Sequence, residues 1–149
     1  IAVLNIAIGW SGSVLGYVAE DGTRLWSLEA ALGKLFYPVA WLLGIESADR
    51  AAAAELMGLK MATNEFVAYG RMLEWAKPDS PIQITDRSRD ILTYALCGFA
   101  NFSSIGIQLG GIGGMAPERR SDLARLGLRA MIGGTLASFM TACFAGLLL

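Results

Sequence analysis

Gly98-Phe99-Ala100-Asn101-Phe102-Ser103-Ser104 stands within 26 consecutive uncharged residues, Ile91 to Ala116. The flanks are apolar enough for a buried membrane helix, but the centre is polar and poor in helix formers. Six of these residues are glycines: Gly98, Gly106, Gly110, Gly111, Gly113 and Gly114. A polar patch halfway along an apolar span predicts a discontinuous membrane helix, whose unwound backbone and freed helix ends supply binding groups at the bilayer midplane. The other reading is a continuous helix whose Asn101, Ser103 and Ser104 bond to a neighbouring helix.

The surrounding sequence is of the same kind. Ala130 to Leu149 gives 20 uncharged residues, the cleanest transmembrane pattern in the chain. Arg119, Arg120, Arg125 and Arg129 precede it, against Lys77, Arg87 and Arg89 in the other loop. That excess of one points to a cytoplasmic start. Lys77 to Asp90 carries Pro78, Pro81 and mixed charge and reads as a water-exposed linker. Ser47 to Trp75 has short apolar runs broken by Arg50, Glu55, Lys60, Glu65, Arg71 and Glu74. It predicts two short helices, about 48–60 and 65–75, with Ser47 as N-cap and a meeting point near Met61–Asn64. Pieces of that length suggest a re-entrant hairpin. Before it, Leu28, Ala31, Leu32, Leu35, Phe36, Val39, Leu42 and Leu43 recur at helical steps beside Trp26, Tyr37 and Trp41. This predicts an amphipathic interfacial helix over 25–45, with a short kinked span around Pro38 as the other reading. Ile1 to Ala19 is uncharged and reads as the end of a transmembrane helix. The start at Ile1, with no Met and no basic segment, is expected of a fragment rather than of a signal peptide.

Composition excludes much. The 149 residues are 54% apolar and only 17% charged, with net charge −1; mean hydropathy is +0.49. An ordinary soluble domain has about 25% charged residues. A basic nucleic-acid-binding surface is not expected. With no histidine, Ser-His-Asp and Cys-His catalysis and histidine metal sites fall away. Cys97 and Cys143 stand far apart and read as small buried hydrophobes. The glycines at 110–114 follow no strand and precede no Lys-Ser/Thr, so they make no phosphate loop.

Two groups can carry chemistry. Glu65 has apolar residues on either side. An ionisable residue at membrane depth is costly and marks a functional site facing a cavity or partner. A shallow position, with Glu65 at the headgroups or paired with Lys60 or Arg71, is the alternative. Asn101, Ser103 and Ser104 form the second group. A carboxylate accepts from two hydroxyls at once, and Asn and Ser both donate and accept, so the set suits sugar hydroxyls. Phe99 and Phe102 add apolar faces for a ring.

Several stretches resemble the concentrative nucleoside transporters. They are Asn64-Glu65-Phe66-Val67-Ala68-Tyr69, the run from Tyr94 to Ile107, Pro117-Glu118-Arg119-Arg120, and Gly133, Thr135–Ser138 and Ala142-Cys143 in the last helix. The resemblance runs in order over essentially the whole chain and is to the C-terminal half of the transporter. It implies an all-α integral membrane protein: the C-terminal repeat of an inverted-repeat transporter with a re-entrant helical hairpin and a discontinuous transmembrane helix. The expected segments are the end of a scaffold helix (1–19), an interfacial helix (25–45), the hairpin (47–75), the broken helix (88–116) and the last transmembrane helix (120–149).

By the same resemblance, Glu65, Asn101 and Ser104 contact the ribose hydroxyls of a nucleoside and Phe99 packs by the base. The implied function is cation-coupled nucleoside symport by alternating access, with no enzyme activity. The alternative is a related gate-type membrane protein that binds or scaffolds without transport. The expected partners are a nucleoside, a coupling cation, the lipid bilayer and two further copies in a homotrimer, with no nucleic acid. The cation, sodium or proton, is expected to bind mainly outside these residues, with no cofactor and no metal ligand within them. The location implied is a bacterial inner membrane.

Overall fold

The computed structural model describes residues 28–149 together with Ile6 and Ala7, which are helical. The expected end of a membrane helix over 1–19 otherwise lies outside the described residues, as do residues 25–27 of the expected interfacial helix. From residue 28 onward the chain forms α1 (Leu28–Leu42), α2 (Arg50–Ala62), α3 (Glu65–Trp75), α4 (Asp86–Leu96), α5 (Phe102–Met115) and α6 (Arg120–Leu148), with a 3-10 turn at Pro117–Arg119 before α6.

α1 runs through Pro38 without interruption and ends because Gly44 adopts φ +77. Ile45 N–H donates to Ala40 C=O at 3.2 Å and Gly44 N–H to Trp41 C=O at 3.1 Å. This pair of bonds is the Schellman stop that a left-handed glycine makes available. The helix packs along α2 through Phe36, Ala40 and Leu43. At Gly33 the two helices come close: a Cβ there would lie in ordinary contact, 3.6 Å from the Ala54 carbonyl oxygen. Leu35 and Leu42, which the periodicity places on the apolar face, are exposed.

α2 starts later than the sequence suggests. Asp49, rather than Ser47, occupies the N-cap position. Its carboxylate accepts from the Thr85 backbone N–H at 3.0 Å and the Thr85 hydroxyl at 2.8 Å. Thr85 in turn caps α4 by accepting from Ser88 N–H. A tertiary link therefore replaces the local cap. α2 and α3 form a helical hairpin whose turn is Thr63-Asn64. Asn64 caps α3, its Oδ1 accepting from Val67 N–H at 3.0 Å. α4 and α5 are separated by Cys97–Asn101, where Gly98 takes φ +101.

α6 packs antiparallel across both helices flanking that break. Gly146 lies against Ile91, Ser138 against Cys97 and Gly98, Gly134 against Ala100, and Gly127 against Ile105. The α6 numbers rise as their partners' numbers fall. Steps of seven, four and eight, each close to whole helical turns, put these small residues on one helix face, which permits close backbone approach. Arg87 closes the far end, its guanidinium donating to Gly44 C=O and Gly146 C=O at 2.7 Å each. Pro117–Leu148 is long and apolar enough to cross a membrane by length and composition. Only 22% of its apolar window is buried, unlike the core helix of a soluble protein.

Candidate functional site

Glu65 is the first residue of α3 and Asn101 is the N-cap of α5. The fold brings these two helix starts together. Asn101 Nδ2 donates to Glu65 Oε2 at 3.0 Å. Asn101 Oδ1 accepts from Ser104 N–H at 2.9 Å, from Ser104 Oγ at 2.9 Å and from Ser103 Oγ at 2.8 Å. Ser103 Oγ also lies 2.8 Å from Thr63 C=O in the hairpin turn. Asn101 is fully buried, and Glu65 and Ser104 are nearly so. Helix N-termini carry partial positive charge, so a carboxylate between two of them is well placed. Glu65 Oε1 is buried and has no hydrogen-bond partner among the described residues. A buried acceptor without a partner is rare and costly, by roughly 1–3 kcal/mol or more for a charged group.

The opposite polarity appears next to it. Lys60, in the last turn of α2, is 2% exposed. Its Nζ donates to Ala95 C=O at 3.2 Å and lies 3.4 Å from Cys97 C=O, at the C-terminal end of α4. Tyr69 OH donates to Thr93 C=O at 2.6 Å, and Ser138 Oγ to Cys97 C=O at 2.7 Å. The carbonyls that a helix leaves unpaired at its end are thus taken up by side chains of the hairpin and of α6. The alternative pairing of Glu65 with Lys60 or Arg71 does not occur. Lys60 binds carbonyls and Arg71 pairs with Glu74 at 3.6 Å on the surface.

Phe99 is 69% exposed and Phe66 71%. Their rings meet edge to face at 6.4 Å, so they form one apolar shelf beside the polar cluster. Phe99, Asn101 and Ser104 also line a groove of about 400 Å³ between α5 and α6. Glu65 does not line that groove and reaches Asn101 from the hairpin side. Cys97, read as a buried hydrophobe, is exposed because it lies in the break. Sequence reasoning passed over Phe66 and the structural part played by Lys60. Phe66 was visible in its motif, directly after Glu65. Lys60 was visible only as a charge breaking an apolar run.

The hairpin, the interrupted helix pair α4–α5 and the long apolar α6 recur in proteins of known family. Over residues 1–146 the chain matches the family described as the C-terminus of Na+ dependent nucleoside transporters, and it belongs to the concentrative nucleoside transporter family. It is 47% identical over 148 residues to an uncharacterized transporter of Haemophilus influenzae, covering 99% of this chain and 34% of that protein. It is 40% identical over 158 residues to human solute carrier family 28 member 3, covering 99% of this chain and 22% of that protein. Nucleoside permease NupC of Helicobacter pylori is 41% identical over 121 residues, 81% of this chain and 29% of its own length. Among solved structures, CNTnw in an inward-facing substrate-bound state superposes with a TM-score of 0.80 at 41% identity, covering 99% of this chain and 34% of that one. A CNTnw variant in an outward-facing state gives 0.79 at 41% identity, over 99% of this chain and 34% of that one. The chain spans about a third or less of the length of these relatives.

Proposed function

We propose that this chain carries the ribose-binding half of a cation-coupled nucleoside symporter working by alternating access in a bacterial inner membrane. The observation that carries this reading is the unpartnered, buried Oε1 of Glu65 beside Asn101 and Ser104. A ribose hydroxyl is a donor of the right kind for that oxygen, and the Ser104 hydroxyl keeps lone pairs to accept from a second. Phe99 and Phe66 offer the flat apolar surface a base requires. α2 and α3 act as a re-entrant hairpin and α4–α5 as a discontinuous transmembrane helix around a midplane site. The exposed apolar residues of α6, among them Leu136, Met140 and Phe144, face lipid or other parts of the transporter. The coupling cation binds mainly outside these residues, and the functional unit is a homotrimer.

Uptake of labelled uridine by the complete gene product in vesicles tests the reading, with sodium and proton gradients imposed separately. Uphill accumulation driven by one of the two gradients is expected. Uptake that only equilibrates under both gradients, or no uptake of any nucleoside, refutes it.

A further inference from the structure

Lys60 is the largest side chain that the fold buries completely, and nothing in the ribose-binding reading uses it. A buried ammonium is costly unless it is paired and hydrogen-bonded. Among the described residues it makes no ion pair within 4.0 Å. Its partners are instead two backbone carbonyls, Ala95 and Cys97. Both belong to the point where α4 stops and the chain unwinds. A cation suits that place, because a helix C-terminus carries partial negative charge.

The break has few bonds of its own. Cys97 N–H reaches back to Tyr94 C=O at 3.2 Å, and Asn101 N–H reaches Phe99 C=O at 3.2 Å. Its two ends are held from outside, and the hairpin reaches both. Lys60 from α2 donates to Ala95 C=O and lies 3.4 Å from Cys97 C=O, which Ser138 of α6 also takes at 2.7 Å, while Glu65 from α3 holds Asn101. Between these two hairpin residues lie only the end of α2 and the Thr63-Asn64 turn, and Thr63 C=O meets Ser103.

We infer that Lys60 is a positioning residue for the ribose site: by holding the carbonyls of Ala95 and Cys97 it fixes the Cys97–Asn101 break, and so the place of Asn101 against Glu65. The inference rests on the ribose-site reading for its consequence in binding, but not for its geometry.

The test uses Lys60→Met, which keeps the apolar stem, and Lys60→Gln, which keeps N–H donors on a side chain one bond shorter. Both are made in the complete gene product in nanodiscs. Amide exchange is compared between residues 98–104 and residues 133–148, and affinities are measured for uridine and 2′,3′-dideoxyuridine. Exchange at 98–104 is expected to rise about tenfold with 133–148 unchanged. The preference for uridine over the dideoxy compound is expected to fall about threefold or more. Exchange that rises equally in both segments, or in neither, overturns the inference. So does an unchanged preference in a variant whose break exchanges faster. If Lys60→Met does not accumulate, Lys60→Gln decides by the same criteria. A wild-type protein with no preference for uridine refutes the ribose-site reading instead, and the exchange comparison alone then decides on Lys60.

Discussion

The amide of Asn101 is divided between two helices: its oxygen is committed to the first turn of α5, and its nitrogen lies 3.0 Å from Glu65 Oε2 at the start of α3. The orientation is not free. Ser104 N–H can only donate, so Oδ1 must face it. The amide NH2 then points to the carboxylate oxygen, which accepts from it. One asparagine both caps a helix and aims a glutamate.

Glu65→Gln is expected to lower uridine affinity about tenfold or more, because hydrogen bonds to charged groups are worth roughly 1.5–3 kcal/mol. The loss should be much smaller for 2′,3′-dideoxyuridine. Titration of the purified variant with both ligands measures this. A uridine affinity equal to that of the wild type removes Glu65 from the site.

Ser104→Ala is expected to weaken uridine binding more than Ser103→Ala does. Ser104 is nearly buried beside Asn101, and its loss leaves a substrate hydroxyl short of a partner at roughly 1–3 kcal/mol. Ser103 is exposed and tied to Thr63 C=O, so its replacement should chiefly loosen the hairpin turn. Isothermal titration separates the two, with amide exchange at Thr63–Glu65 as the second readout. Equal affinity losses would falsify the distinction.

Gly98→Ala should destabilise the protein by about 1–3 kcal/mol, the usual range for a residue held in a sparsely populated backbone conformation. The position has φ +101, and a Cβ there would lie 3.1 Å from Ser138 Oγ. Adding Ser138→Ala relieves the contact but not the backbone strain, so most of the loss should remain. Thermal unfolding of the single and double variants in detergent checks this. Full recovery in the double variant would mean that the contact, not φ, sets the cost.

Arg87→Ala should lower stability by about 2 kcal/mol through loss of two charge-assisted bonds. Those bonds join the turn after α1 to the C-terminal part of α6. Arg87→Lys should recover only part of it, since a point charge cannot reach both carbonyls as a planar fork does. Uridine selectivity should be untouched in whatever folds. Thermal melting and ligand titration of both variants check the two halves of this expectation.

The helices and the break were legible where local chemistry decides them. The meeting point near Asn64 and the interruption around Asn101 were legible, though not that each asparagine caps the helix after it, and Gly98 marks the place in the break where the backbone turns positive. The candidate cluster was legible as a chemical set, but not that Asn101 and Glu65 bond directly across 36 positions. Asp49 and Thr85 show the limit well. Ser47 reads as the cap from its place before the apolar run, and only the fold reveals that Asp49 takes the cap position while its carboxylate serves Thr85. The part played by Lys60 was invisible, since its partners are backbone carbonyls, which any residue supplies.

α6 also has a mechanical meaning. An interruption is the softest point of a helix and invites bending. Here a continuous rod lies across the fracture, touching Ile91 on one side of it and Ala100 and Ile105 on the other, as a splint lies across a broken bone. The two fragments are therefore braced to the same support and travel together.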